Sequence, residues 1–162
     1  MNPQTKPSTS KNQNAVEELV KYLNKFWDKA YDECDWFYEE YRMGHAELEN
    51  EPLECEVSNA RIRRLEDGDG VAIDYSAAHI YDSCYYYSCG PYDDEEVNVD
   101  EAYAECRESC LEDAESYARR VLGEYRRAIE KWAKKRGVAY KEELLRDELS
   151  FTLIIKLHPA GL

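Results

Sequence analysis

The side chains of this sequence able to do chemistry are its cysteines, its histidines and its many carboxylates. Cys84 and Cys89 are separated by four residues, and Cys106 and Cys110 stand one helical turn apart. Thiolates at such spacings suit a tetrahedral zinc ion, with His79 as a substitute ligand. The segment CYYYSC is bulkier than a structural zinc knuckle, however, and free cysteine is among the commonest core residues. The expectation is therefore reduced core thiols, with no metal and no cofactor, and with disulfides ranked third. His45, His79 and His158 have no motif around them, and neither a glycine-rich phosphate loop nor Gly-x-Ser-x-Gly nor His-Glu-x-x-His occurs. Carboxylate pairs are too frequent to mark a glycosidase-type site. Catalysis is not expected.

Charge is the feature furthest from that of a plain domain. Thirty-five acidic residues against 21 basic ones give a net charge of −14 in 162 residues. Direct binding to DNA or RNA is disfavoured, because phosphate contacts need Lys and Arg. From Asp28 to Glu56, 11 acids stand against Lys29 and Arg42; from Asp93 to Glu115, 11 stand against Arg107. If both blocks are helical, Asp28, Asp32, Asp35 and Glu39 form one outer row, with Trp36 among them and Glu33 and Glu40 on the flank. Glu101, Glu105, Glu108, Glu112 and Glu115 form a second row, preceded by Asp93, Asp94, Glu95 and Glu96. Carboxylates one turn apart are about 5–6 Å from each other, and a DNA strand carries a charge about every 3.4 Å. Two rows side by side approach that density. The plain alternative is a pair of solvated helix faces.

Long helices must position these rows. From Val99 to Arg136 the residues Tyr103, Cys106, Cys110, Ala114, Tyr117, Val121, Tyr125, Ala128 and Trp132 recur in an eleven-residue pattern, with Asn98 and Glu101 as a capping box and Gly137 as the stop. Its second half is basic, from Arg119 to Lys141. A first helix is expected from Asn14 to about Met43, on the stripe Val16, Val20, Leu23, Trp27, Ala30, Cys34, Phe37 and Tyr41. Strands are expected at Leu53–Val57, Arg61–Leu65, Val71–Tyr75 and Phe151–Leu157, with a hairpin across Asp67–Gly70. Ala78–Tyr87 reads as another strand and Tyr140–Leu149 as a short helix. The fold expected is α+β: two long antiparallel helices packed with a small antiparallel sheet. Residues 1–13 read as a disordered leader and 14–162 as one domain. With no apolar signal core and no membrane-length run, a cytoplasmic location is expected.

In size and charge placement, across Asp28 to Glu115, the chain resembles the small acidic antirestriction and anti-CRISPR proteins with which phages and plasmids imitate nucleic acid. The resemblance implies an inhibitor that occupies the basic groove of a host nucleic-acid-binding enzyme or ribonucleoprotein. The basic block implies a contact with an acidic surface, a guide RNA or a second copy, as in a homodimer. Two other classes stand beside it: an adaptor using the helical hairpin and the tyrosines Tyr81, Tyr85, Tyr86, Tyr87 and Tyr92, and a small zinc-binding protein.

Overall fold

The protein is described here by a computed structural model, which covers residues 7–91 and 98–158, with side chains from residue 12 onward. Helix α1 (Pro7–Arg42) opens earlier than the Asn14 cap implied, with a proline in its first turn, where a missing N–H costs nothing. Residues 7–13 of the expected leader are thus helical, and 1–6 lie outside the described residues. Along α1 the side chains of Val16, Leu19, Leu23, Ala30 and Phe37 are buried, whereas Tyr41 is exposed.

Helix α4 (Val99–Arg136) has the bounds that its caps dictate. Asn98 accepts a hydrogen bond from the Glu101 N–H at 3.2 Å, and Gly137 takes the left-handed φ of 69° that ends the helix. The two long helices run antiparallel, since Arg136 pairs with Glu18 and the rings of Phe26 and Tyr125 meet at 5.0 Å.

Between them in sequence lie a helical turn at Leu48–Asn50, helix α2 (Glu54–Val57), strands β1 (Arg61–Arg64) and β2 (Gly70–Ser76), and helix α3 (Ala78–Ser88). Strands β3 (Tyr140–Asp147) and β4 (Ser150–Leu157) follow α4. The antiparallel sheet has the order β1-β2-β4-β3. Its registers set Val71 opposite Ile155, Ile73 opposite Leu153 and Tyr75 opposite Phe151, so the apolar sides of the two central strands face the same way. Val16, Leu19 and Leu23 of α1 and Val121, Leu122, Tyr125 and Ile129 of α4 pack on them as one core. Burying each such side chain contributes about 1.5–3 kcal/mol. Gly70 sits where β2 passes closest to β4: a Cβ there would lie 1.8 Å from the Ile155 carbonyl oxygen.

Three expected elements have the other secondary structure. Leu53–Val57 is not a strand: Cys55, Glu56 and Val57 are all buried, which a one-turn helix wedged against α1 and α4 permits and an alternating strand does not. Ala78–Tyr87 is helical, because its Cys84 is bonded to Cys110 of α4 and Ile80 and Tyr81 turn together toward the core, overriding the strand propensity of its tyrosines. Tyr140–Leu149 is an edge strand and a turn, with Tyr140 opposite Leu157 and Leu144 opposite Leu153. A four-residue interval fits a helix face and a strand face equally well. The turn gives no signal either, since Glu148 occupies the left-handed φ of 54° usually held by Gly or Asn.

The cysteines are not reduced core thiols. Cys34–Cys55 joins α1 to α2, while Cys84–Cys110 and Cys89–Cys106 join α3 to α4. Each pair has Cα atoms 4.9–5.7 Å apart, within bonding range. By the chain-entropy argument each stabilises the fold by about 3 kcal/mol. Among the described residues no helix is long and apolar enough to cross a membrane.

Candidate functional site

The antiparallel packing brings the acidic halves of α1 and α4 to one end of the molecule, but not side by side. With Phe26 level with Tyr125 and a rise of about 1.5 Å per residue, α1 ends level with about residue 109 of α4. Glu112 and Glu115 therefore flank α1, whereas Glu101, Glu105 and Glu108 project beyond its end. The segment from Leu48 to Glu54 lies between the helices. Its Asn50, Pro52 and Glu54 face Asp32 and Trp36 of α1, and its Leu48, Glu49 and Glu51 face Tyr117 and Arg120 of α4. Tyr38 donates to Glu51 at 2.8 Å and fixes this segment on α1; burial, then that bond, pushes the Tyr38 hydroxyl up to about 12. From Asp28 to Glu101 the acids occupy a staggered strip about 33 Å long, near one turn of B-DNA.

Asp28, Asp32, Asp35, Glu39, Glu101, Glu105, Glu108 and Glu112 are exposed, and none has a Lys or Arg partner among the described residues. Glu115 differs. Arg119 at 2.9 Å and Arg146 at 3.1 Å both reach it, and the Arg119 hydrogen bond holds its carboxyl below the usual range. It is internally neutralised and leaves the candidate surface. Glu40 is half-buried and faces His45 at 3.1 Å. Asp93, Asp94, Glu95 and Glu96 lie outside the described residues. Part of the basic block is paired with its own chain: Arg119, Arg126, Arg127 and Arg136 hold Glu115, Glu142, Glu124 and Glu18, while Arg120, Lys131, Lys134, Lys135 and Lys141 have no carboxylate partner among the described residues. Trp36, 64% exposed, borders an open groove of about 550 Å³ floored by Phe37 and Pro52 and rimmed by Asp32, Glu33 and Glu54. The indole is thus surrounded by carboxylates, which give the groove a negative rim.

A second cluster gave no sequence signal. Glu56, 9% exposed, accepts from the Tyr75 hydroxyl at 2.8 Å and faces His79 Nε2 at 2.7 Å, with the Asn59 amide at 3.4 Å. As the outer face of a strand Glu56 looked solvated; as part of α2 it points inward. The cluster joins α2, β2 and α3, and burial with the Glu56 bond pushes the Tyr75 hydroxyl well above its ordinary range. Through these bonds the group ties α2 to β2 and α3. Replacing Glu56→Leu orphans the Tyr75 hydroxyl and is expected to cost about 2 kcal/mol in urea denaturation. Adding Tyr75→Phe recovers about half of it, a coupling read from the double-mutant cycle.

The sulfurs of Cys89, Cys106 and Cys110 lie within 4.8 Å of one another, all of them in disulfides. Compared with protein-family models, curated proteins and solved structures, the chain has no match.

Proposed function

We propose that the protein is an inhibitor whose acidic end occupies the basic nucleic-acid groove of a host defence enzyme or ribonucleoprotein. One asymmetry supports the reading. Acids along a strip of about 33 Å lack internal cationic partners, while four arginines of the basic half, Arg119, Arg126, Arg127 and Arg136, are tied to their own chain. Solvated faces evolved for solubility need no such division. Unpaired acids repel one another in the free protein, and a cationic groove relieves that repulsion and speeds encounter. The internal pairing of Arg119 to Arg136 leaves less of that block for a guide RNA or a second copy.

The reading places the protein in the cytoplasm with its target. Three disulfides there require a cytosol that tolerates them, as in hyperthermophiles, or another chemical state of the cysteines.

Asp32→Lys, Asp35→Lys, Glu105→Lys and Glu108→Lys together are expected to weaken binding at least about 100-fold, or 2.8 kcal/mol, with helical circular dichroism unchanged. The wild-type chain is immobilised against host lysate at low and high salt, and competing duplex DNA or RNA is added. Capture of a nucleic-acid-binding protein, reversed by salt and by the nucleic acid and lost in the variant, supports the reading; capture that survives all three overturns it. The exposure of Tyr86 at 78% and Tyr87 at 80% favours a second reading, an adaptor that binds protein through α3. That contact would resist salt and fail on Tyr86→Ala with Tyr87→Ala.

A further inference from the structure

We infer that Cys84, Cys89, Cys106 and Cys110 have a second state, in which all four are thiolates holding one zinc ion. The inference does not depend on the proposed partner. The two disulfides that these residues form are neighbours: Cys89 Sγ lies 3.7 Å from Cys110 Sγ, though Cys89 is bonded to Cys106 and Cys110 to Cys84. The sulfurs of Cys89, Cys106 and Cys110 thus meet in one place between α3 and α4, and Cys84 adjoins them through its bond to Cys110. In tetrahedral zinc with Zn–S bonds of about 2.3 Å, sulfurs stand about 3.8 Å apart. The Cys89–Cys110 separation already has that value, and the triangle of Cys89, Cys106 and Cys110 fits inside 4.8 Å. To hold zinc, the sulfurs of each disulfide draw apart and Cys84 Sγ swings in toward those of Cys89 and Cys106.

The backbone suits this exchange. Cys106 and Cys110 are one turn apart on a rigid helix, with three residues between them, and Cys84 and Cys89 have four, both within the spacing of zinc pairs. Cys110 and Cys89 are buried, so water is largely excluded from the centre. Asp113 places a carboxylate oxygen 3.9 Å from Cys84 Sγ, at the more open side where a cation would enter. Cys34–Cys55 lies elsewhere, between α1 and α2, and has no part in the cluster.

Reduction proceeds by thiol–disulfide exchange with a dithiol reductant, small or thioredoxin-like. Two dithiols supply four electrons and four protons, each becoming a disulfide, and the two S–S bonds become four thiols. Zinc then displaces the four protons to solvent as the thiolates bind it. In an oxidising compartment the same residues hold α3 to α4 as disulfides; in a reducing one, zinc takes over the task.

The full chain is reduced without oxygen, given zinc(II) or cobalt(II) chloride, and freed of excess metal by gel filtration. One zinc per chain is expected, against none for the oxidised protein. Cobalt should give an intense thiolate charge-transfer band and the visible bands of tetrahedral coordination. With zinc bound, only Cys34 and Cys55 should react quickly with a thiol reagent; after chelation all six cysteines should. Cys34→Ser with Cys55→Ser should keep the metal, and Cys106→Ser with Cys110→Ser should lose it. A reduced wild-type chain that binds no zinc, or whose six thiols react alike with and without it, overturns the inference. So does equal binding by the Cys106→Ser, Cys110→Ser variant. Should reduction alone unfold the chain, zinc is expected to restore its helical circular dichroism, and failure to do so overturns the inference equally.

Discussion

Gly70→Ala is expected to cost about 4 kcal/mol and to lower the melting temperature by about 10 °C. The methyl group would stand 1.8 Å from the Ile155 carbonyl oxygen and 3.0 Å from Lys156 Cα, so it meets backbone and not a side chain that can rotate away. Ile155 cannot retreat, because β4 is paired on its far side with Glu142 of β3 and its side chain is in the core. The chain must either unpair β2 from β4 at that end or shift the register, which turns Val71, Ile73 and Tyr75 out of the core. Gly68→Ala is the control. Gly68 has a φ of 77° with open space around it, so the cost there is backbone strain alone, about 1 kcal/mol. Urea denaturation of both variants checks the prediction; a Gly70→Ala loss no larger than that of Gly68→Ala would refute the close approach.

Alkali is expected to unfold the protein steeply. Burial pushes the hydroxyls of Tyr75 and Tyr125 far above the ordinary value of about 10, and Tyr75 also bonds to Glu56. In the unfolded chain both ionise near that ordinary value, while in the folded one they keep their protons. Above about pH 10 the folded state therefore binds more protons, and stability falls with rising pH, the contribution being full below that pH and lost toward the folded values. Each group takes away about 1.4 kcal/mol per pH unit, hence the pair about 3 kcal/mol. Tyr38, raised to about 12, adds to the fall in its first part. The Tyr125 hydroxyl donates to the Val57 carbonyl at 2.7 Å. Tyr125→Phe should thus cost about 1 kcal/mol at neutral pH yet halve the alkaline slope. Denaturation curves on either side of about pH 10, with tyrosinate absorbance followed alongside, measure both. A slope unchanged by Tyr125→Phe would show that this hydroxyl ionises freely.

Elements whose signals are local could be read from the chain. Asn98, Glu101 and Gly137 mark the ends of α4 because caps are made by side chains within a turn of the boundary. Asp67–Gly70 marks the β1–β2 hairpin, and alternation marks β4. The core of α4 was only half visible. Its seam named Val121 and Tyr125 but missed Ala118, Leu122 and Ile129, since a helix covered from more than one side buries a wider stripe than a two-helix seam. What α2, α3 and β3 adopt is decided by distant partners: Cys34 for Cys55, Cys110 for Cys84, Leu153 for Leu144. The acidic rows were legible as helix faces. Of the two partners of Glu115, Arg119 stands one turn away on the same helix and is legible, whereas Arg146 is not, because it lies on a strand that reads as a helix. Glu56 stayed hidden for a like reason.

The place of β4 beside β2 bears on how the chain reaches this structure. Asp74 faces Thr152 across the middle of the sheet, with all of α3 and α4 in between. The β1–β2 and β3–β4 hairpins close locally and fast, but their joining must gather the 63 residues from Ala77 to Ala139 into a loop, which is slow for topological reasons. During synthesis, α1 and the first hairpin emerge with their apolar faces uncovered and wait for β4. Until then β2 offers Val71, Ile73 and Tyr75 on an open edge to any neighbouring chain. The acids of the second half of α1, from Asp28 to Glu40, repel the same face of another such half-made chain.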